Sequence, residues 1–163
     1  ANRRMERLNR DLLLLAKIDN NQFVTNTKVD MISIIRDIAD SLTSLGHKVN
    51  TTFSDAKYEI TANRTLFESL VNNLIVNAVR NSGQVYISLT EGKLIVSNPS
   101  ADGEPLDSSR LFRRFASTTG TEGNGLGLAI AKAVCDVHGW GIKYDFVSGN
   151  HLFTVILNGM IQK

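Results

Sequence analysis

The sequence has little cysteine, no long apolar run and no excess of charge of one sign, and each scarcity excludes a class of protein. A single cysteine, Cys135, cannot build a disulfide framework or a cysteine zinc site. The longest conspicuous apolar run covers residues 12–16, whereas a helix that crosses a bilayer needs about 20 apolar residues. The net charge of +2 gives no electrostatic case for binding nucleic acid.

What is present is the composition of an ordinary globular protein, and 163 residues fit one domain with a short appendage. The appendage is N-terminal, where Met5, Leu8, Leu12 and Leu15 recur at spacings of three and four residues. That spacing is typical of a helix with an apolar seam, which needs a partner helix. We therefore expect a role in a helical hairpin or a dimer; the alternative is that this helix packs on its own domain.

The rest of the chain predicts an α+β fold. Three further helices are indicated over residues 31–45, 63–81 and 125–138, the second of them with Asn63 as its N-cap. Strands are predicted near Phe23 and Thr25 and over residues 48–54, 57–61, 85–90, 93–97, 142–147 and 152–157, with a two-residue hairpin turn at Glu91 and Gly92. We expect a two-layer sandwich, with helices on one face of a mixed, largely antiparallel sheet.

The helix predicted over residues 63–81 carries two amides on an otherwise apolar stripe. The stripe follows spacings of 4, 3, 4 and 3 residues and consists of Leu66, Leu70, Asn73, Asn77 and Arg80. Carboxamides are costly to bury without partners, so they either bond to neighbouring backbone or point into a polar pocket. In a pocket, an asparagine oxygen suits Mg²⁺, which also takes oxygens from a phosphate substrate, and Arg80 would lie where it could meet a phosphate.

A glycine-rich turn leads into the last predicted helix. It reads Gly-Asn-Gly-Leu-Gly-Leu over residues 123–128 and follows a long connection, residues 98–124, that holds both prolines. Glycines let the backbone approach a ligand, and the first N–H groups of a helix favour an anion. A glycine-rich turn alone is a weak signal, but together with the amide pair and a long connection between them it indicates a phosphate site.

These motifs together resemble the ATP-binding domain of sensor histidine kinases. Residues 73–78 (Asn-Leu-Ile-Val-Asn-Ala) resemble the N box of that family, residues 111–115 (Leu-Phe-Arg-Arg-Phe) its F box, and residues 123–130 its second glycine box. The resemblance covers residues 28–160 and implies the Bergerat fold. Residues 1–23 look like the second helix of the family's dimerisation and phosphotransfer hairpin, which implies a boundary between residues 1–23 and an ATP-binding catalytic domain over residues 24–163.

The resemblance implies a site for ATP and Mg²⁺. It implies that Asn77 coordinates Mg²⁺, that Asn73 helps arrange the triphosphate and that Arg80 contacts phosphate. A lid over ATP is implied at residues 107–122, and phosphate-binding backbone at Gly123, Asn124, Gly125, Leu126 and Gly127. Phosphoryl transfer depends mainly on positioning and charge neutralisation, which such groups supply.

The chain departs from the family where an aspartate in the first glycine box accepts the adenine amino group. Asn98 stands at the end of the strand instead, and its side-chain oxygen could also accept that hydrogen bond. The rival is Asp102, followed by Gly103, a few residues further along. We favour Asn98, and the other reading of Asp102 and Gly103 is an ordinary turn.

The phosphoacceptor histidine of the family is also missing. His47, His138 and His151 lie in a turn, at a helix end and in the last hairpin, so we expect each to be structural or on the surface. The acceptor is expected on a hairpin helix that precedes Ala1, so this chain should bind ATP without phosphorylating itself.

The same resemblance implies partners and a place in the cell. It implies relay of the phosphoryl group to a response-regulator receiver domain, a homodimer formed through the hairpin, and a cytoplasmic domain without membrane contact of its own, and it leaves open a membrane anchor upstream. Two rival functions remain. One is a degenerate kinase that acts as a nucleotide-independent dimeric scaffold; the other is a different Bergerat ATPase or serine kinase.

Overall fold

The computed structural model describes residues 2–116 and 125–157, which form four helices and seven strands. In chain order these are α1 Asn2–Asp19, β1 Thr27–Asp30, α2 Met31–Ser44, β2 Lys48–Phe53, β3 Glu59–Ala62, α3 Arg64–Ser82, β4 Gln84–Thr90, β5 Lys93–Pro99, α4 Gly127–His138, β6 Gly141–Val147 and β7 Asn150–Ile156.

Five strands form the main sheet, in the order β2–β4–β5–β7–β6. The β2–β4 pair is parallel and the other three pairs are antiparallel. The β4–β5 turn has positive φ at both Glu91 (53°) and Gly92 (77°), and the β6–β7 turn has positive φ at both Ser148 (52°) and Gly149 (81°). Two positive φ angles are characteristic of the turn that matches the twist of paired strands, so the predicted hairpin at Glu91 is confirmed.

The core lies between this sheet and the helices, which confirms the predicted α+β fold. Val85, Ile87 and Leu89 alternate inward along β4, and the buried side chains of α2 and α3 cover that face of the sheet. Asp30 caps α2 by accepting the Ile32 N–H at 3.2 Å. Asn63 caps α3 as predicted, accepting the Leu66 N–H at 2.9 Å, and therefore fixes where α3 begins.

Two predicted elements are displaced along the chain. The strand expected near Phe23 and Thr25 lies instead at Thr27–Asp30, where it pairs antiparallel with β3 in a separate two-stranded sheet. The last predicted helix begins at Gly127 rather than at Gly125, because Gly125 has φ of +75°, which is incompatible with a right-handed helix. Both errors concern conformations that only long-range pairing or a specific turn decides.

Helix α1 packs its inner face on the domain and leaves an apolar strip outside. Leu15 and Ile18 are buried in the same core as the other helices, and α1 contacts α4. Met5, Leu12 and Leu13 are exposed. The apolar seam is thus divided between the domain and the surface. In the described part of the chain, no helix is both long and apolar enough to span a membrane.

Candidate functional site

The topology brings the ends of six elements to one end of the main sheet. Helix α3 reverses into β4 at Gly83, and β4 reverses into β5, so the end of β5 lies near the C-terminal part of α3. The start of β7 pairs with the end of β5, and β6 pairs with β7. Because α4 runs back to the far end of the sheet before β6 begins, the start of α4 lies at the same end as these strand termini. Those predicted site residues that the structure describes lie on α3, at the end of β5 and in the loop that follows it, and at or just before the start of α4.

The stripe on α3 changes from buried to accessible as it approaches this end. Leu66 and Leu70 are fully buried, Asn73 and Asn77 are half-buried, and Arg80 is exposed. The two amides therefore emerge from the core on the face that meets α4, one helical turn apart.

The start of α4 lies directly against Asn73. Asn73 Nδ2 donates to the carbonyl oxygen of Ser69 at 2.8 Å and to its hydroxyl oxygen at 3.3 Å, which fixes the orientation of the amide. A Cβ atom added to Gly127 would lie 3.0 Å from Asn73 Oδ1. Glycine at this position lets α4 approach the amide, and the structure thus brings two predicted site residues together.

Asn77 is the residue that the sequence predicts to bind Mg²⁺, and its side-chain oxygen is a ligand type that Mg²⁺ accepts. Within residues 2–116 and 125–157, no group of three or more His, Cys, Asp or Glu side chains could hold a metal ion. An amide oxygen without a carboxylate cage suits Mg²⁺ only where water and phosphate oxygens supply the other ligands. The donor set therefore fits a nucleotide–magnesium complex.

The described first part of the predicted lid is held against Gly125. The Phe115 N–H donates to the Gly125 carbonyl oxygen at 2.8 Å, and a Cβ atom on Gly125 would lie 2.7 Å from Phe115 Cα. Phe115 itself has φ of +62° and an exposed ring. Arg114 forms an ion pair with Asp19 at 2.9 Å, which links this segment to the end of α1. The glycine therefore permits a close backbone contact between residues 115 and 125.

Helix α4 presents its first turn at the site. Leu126, its N-cap residue, is buried and has an apolar side chain that makes no cap hydrogen bond, and Gly127 follows. The unpaired N–H groups of a helix start attract phosphate. Gly123 and Asn124, and residues 117–122 of the predicted lid, lie outside the described residues.

Asn98, the residue that the sequence predicts to read the base, is buried. It lies near the end of β5 on the same face as Leu94 and Val96, toward the helices, and is only 1% exposed. Its Nδ2 donates to the Pro99 carbonyl oxygen at 3.0 Å. With the nitrogen directed at backbone, the side-chain oxygen is the atom with which Asn98 would meet a ligand.

Asp102 and Gly103 lie in an exposed turn instead. The Asp102 carboxylate accepts hydrogen bonds from the Glu104 N–H at 3.0 Å and the Ser100 hydroxyl at 2.9 Å. These bonds lower the pKa of the Asp102 carboxyl. Gly103 has φ of +75° and open space around its Cα. The geometry is that of an aspartate-stabilised turn, which was the other reading of this pair.

His151 is a buried residue at the site that the sequence reasoning did not assign to it. It is only 4% exposed and is the cross-strand partner of Asn98. Its Nδ1 lies 2.7 Å from the Tyr144 hydroxyl, and burial lowers its pKa while the charge of Asp102 acts in the opposite direction. The sequence could have indicated this burial, because side chains alternate between the two faces of a strand and His151 therefore shares a face of β7 with Phe153 and Val155.

The other residues of note lie away from this end. His138 is at the end of α4, where its ring stacks on Trp140 with centroids 4.0 Å apart. Cys135 is buried in the core, and burial raises the pKa of its thiol to about 12. A thiol with that pKa stays protonated, as expected for an unreactive core residue.

Comparisons with known proteins assign most of the globular part of the chain to a protein family. Residues 62–158 match the sequence profile of the family described as histidine kinase-, DNA gyrase B-, and HSP90-like ATPase. The sensor histidine kinase HprS of Escherichia coli is 28% identical over 166 residues, covering 94% of this chain and 36% of HprS. The heme sensor protein HssS of Staphylococcus aureus is 29% identical over 148 residues, covering 84% of this chain and 32% of HssS. The chain thus spans about a third of the length of these curated relatives.

Solved structures share the fold. The histidine kinase AdeS of Acinetobacter baumannii superposes with a TM-score of 0.73 at 21% identity, covering 94% of this chain and 79% of that one. The catalytic domain of the histidine kinase ThkA gives a TM-score of 0.66 at 23% identity, covering 79% of this chain and 92% of that one. At these identities the likeness establishes the fold alone.

Proposed function

The chain belongs to the family of histidine kinase-, DNA gyrase B- and HSP90-like ATPases, and we propose that it is the ATP-binding catalytic domain of a sensor histidine kinase. It binds ATP with Mg²⁺ and transfers the γ-phosphoryl group to a histidine imidazole outside this chain. A receiver-domain aspartate of a response regulator then takes the phosphoryl group. The parent protein works in the cytoplasm as a homodimer.

The observation that carries the proposal is the contact between Asn73 on α3 and Gly127 at the start of α4. It puts a half-buried amide and a helix N-terminus side by side, which is what a triphosphate requires. The chemistry needs little else from the protein, because phosphoryl transfer depends on positioning and charge neutralisation.

Each residue has a distinct proposed role. Asn77 holds Mg²⁺ through its side-chain oxygen, Asn73 orients the phosphates, and the exposed Arg80 contacts a phosphate oxygen. Mg²⁺ supplies neutralisation of phosphate charge when bound. The glycine-rich backbone over residues 123–127 surrounds the phosphates, and Asn98 Oδ1 accepts a hydrogen bond from the adenine amino group.

Helix α1 is proposed to be the second helix of a dimerisation hairpin, with the catalytic domain over residues 24–163. Its exposed Met5, Leu12 and Leu13 support this, since they offer an apolar strip to a partner helix. The buried Leu15 and Ile18 mean that the same helix also packs on the catalytic domain.

The decisive experiment is calorimetric titration with a non-hydrolysable ATP analogue, with and without Mg²⁺. The variants are Asn77→Ala and, as a matched control, Asn72→Ala, an exposed asparagine on the same helix. We expect micromolar-range binding that depends on Mg²⁺, an about tenfold or greater loss in Asn77→Ala, and no change in Asn72→Ala.

A second candidate is a degenerate kinase that acts as a nucleotide-independent scaffold. Asn98 favours it, because a neutral amide replaces the family's aspartate at the strand end. Absence of binding heat and of thermal stabilisation at saturating nucleotide would contradict the kinase proposal and favour the scaffold.

A further inference from the structure

A pair of buried polar side chains lies at the junction of β5 and β7, and only Asn98 has been given a role. Asn98 and His151 are direct cross-strand partners, and both face the helical layer. Side chains of such a pair lie roughly 5 Å apart at their Cβ atoms. The two therefore form one corner of the site.

The hydrogen bonds around His151 favour one tautomer of its ring. The Leu106 N–H donates to the Tyr144 hydroxyl oxygen at 2.9 Å, so that oxygen acts as an acceptor and its proton is available for donation. His151 Nδ1 lies 2.7 Å from this hydroxyl, and we take the hydroxyl as the donor and Nδ1 as the acceptor. Because burial lowers the pKa of His151, the ring is neutral at pH 7 and carries its single proton on Nε2.

The strand order gives the direction of that proton. Strand β7 lies between β6, which carries Tyr144, and β5, which carries Asn98. The two nitrogens of an imidazole point in nearly opposite directions, so a ring whose Nδ1 faces Tyr144 directs Nε2 away from it, toward the Asn98 side. The corner therefore combines an acceptor, Asn98 Oδ1, with a donor, His151 Nε2–H.

We propose that His151 determines base specificity, its Nε2–H donating to a ring nitrogen of adenine while Asn98 Oδ1 accepts from the exocyclic amino group. Adenine offers a donor next to an acceptor on its edge. If the ring nitrogen is N1, guanine offers an oxo acceptor and a ring N–H donor in the corresponding places, so both contacts would become repulsive. If it is N7, which is an acceptor in both bases, only the contact between Asn98 Oδ1 and the oxo group would become repulsive. This inference rests on the proposed nucleotide-binding function and adds a residue to it. A buried pair of this kind rejects the wrong edge because its polar atoms would be left unsatisfied.

The test separates the hydrogen bond from the fold. Calorimetry measures binding of adenylyl imidodiphosphate, of its 1-deaza and 7-deaza forms, and of the guanine analogue, each with Mg²⁺. In the unaltered chain, we expect one deaza form to bind about tenfold more weakly than the parent compound, and the guanine analogue to bind more weakly still.

The variants locate the effect on His151. His151→Leu should bind the parent compound about tenfold more weakly and lose the discrimination against that deaza form, whereas His151→Gln, which keeps an N–H donor, should retain most of both. His47→Leu, a histidine outside the site, should bind as the unaltered chain does. Thermal melting of each variant reports whether it is folded.

Three results decide between the ideas. Equal binding of both deaza forms and the parent compound by the unaltered chain would overturn the inference while leaving the nucleotide site intact. Discrimination that persists unchanged in folded His151→Leu would also overturn it. No binding of any nucleotide by the unaltered chain would instead overturn the proposed function itself. If His151→Leu does not fold, titration of the chain labelled with ¹⁵N in its histidines decides: the His151 Nε2 resonance must shift with the parent compound and not with one deaza form.

Discussion

The two ends of the α3–α4 helix pair differ in what their polar side chains contact. At the end with Asn63 and His138, polar atoms bond to one another: Asn63 Nδ2 donates to the Val24 carbonyl oxygen at 2.9 Å, and the Asn63 N–H donates to His138 Nε2 at 3.0 Å. His138 Nδ1–H in turn donates to the Val134 carbonyl oxygen at 2.8 Å. At the other end, half-buried amides face a glycine-rich helix start. Polar groups at one end of the two helices are thus bonded to one another, whereas those at the other end belong to the candidate site.

The largest expected effect comes from the two glycines that flank α4. Gly125 and Gly139 have nearly the same φ, +75° and +72°, but a Cβ on Gly125 would meet the Phe115 backbone at 2.7 Å whereas a Cβ on Gly139 meets nothing within 4 Å. Gly125→Ala should therefore displace residues 112–116 and weaken nucleotide binding by about tenfold or more. Gly139→Ala should lower the free energy of unfolding by about 1 kcal/mol and leave affinity unchanged. Calorimetry measures the nucleotide affinity of each variant, and urea unfolding measures its free energy of unfolding. If both variants lost affinity equally, the two ends of the helix pair would not differ in their importance for nucleotide binding.

Asn63 should behave as a purely structural asparagine. Asn63→Ala removes the cap of α3 and the bond to Val24, so we expect the free energy of unfolding to fall by about 1–2 kcal/mol. Its nucleotide affinity should stay within twofold of the unaltered chain. Asn72→Ala, in the exposed part of the same helix, should change stability by less than about 0.5 kcal/mol. A loss of affinity in folded Asn63→Ala would show that the closed end is coupled to the site.

His138 should make stability depend on pH. Burial lowers its pKa below the ordinary 6.5, so the unfolded chain takes up a proton before the folded chain does. The contribution of neutral His138 to the free energy of unfolding should be complete above pH 6.5. It should decrease as the pH falls from 6.5 toward the pKa of His138 in the folded chain. His138→Phe keeps a ring against Trp140 but removes the acceptor for the Asn63 N–H, which should cost about 1 kcal/mol at pH 7.5.

The His138→Phe variant also distinguishes the contribution of His138 to the pH dependence from that of His151, whose pKa is lowered too. Urea unfolding at pH 5.5 and 7.5 should show a smaller pH dependence in His138→Phe than in the unaltered chain. An identical pH dependence in the two would assign the effect to other groups.

The smallest expected effect concerns the ion pair between Arg114 and Asp19. Both side chains are about half exposed, so a double-mutant cycle with Arg114→Ala and Asp19→Ala should give a coupling energy below about 1 kcal/mol, decreasing with added salt. A larger coupling would mean that α1 and the lid segment are held together more firmly than a surface contact allows.

Local patterns predicted the parts of this molecule that local forces decide. The spacing of the α3 stripe placed Asn73 and Asn77 on one face, and Asn63 was recognisable as a cap because it precedes an apolar period. The turn at Glu91 followed from its glycine and the flanking strands. These features depend on a few neighbouring residues, and the structure has them where they were expected.

Other features depend on partners far away in the chain and were not predictable in the same way. The parallel pairing of β2 with β4 and the burial of His151 beside Asn98 both follow from sheet order, which no short segment encodes. The division of the α1 seam is similar, since a heptad pattern shows that a helix needs a partner but not which surface supplies it. Residue roles at the candidate site remain predictions.

The pairing of β5 with β7 has a consequence for how the protein folds. Each of these strands already belongs to a hairpin closed by a two-residue turn, β4–β5 or β6–β7, and such hairpins form quickly from local contacts. Joining them requires closure of the long loop that contains α4, because Pro99 pairs with Asn150. We therefore expect the strand junction that carries Asn98 and His151 to form after the two hairpins. We also expect the amide hydrogens of β7 to exchange more slowly once nucleotide is bound.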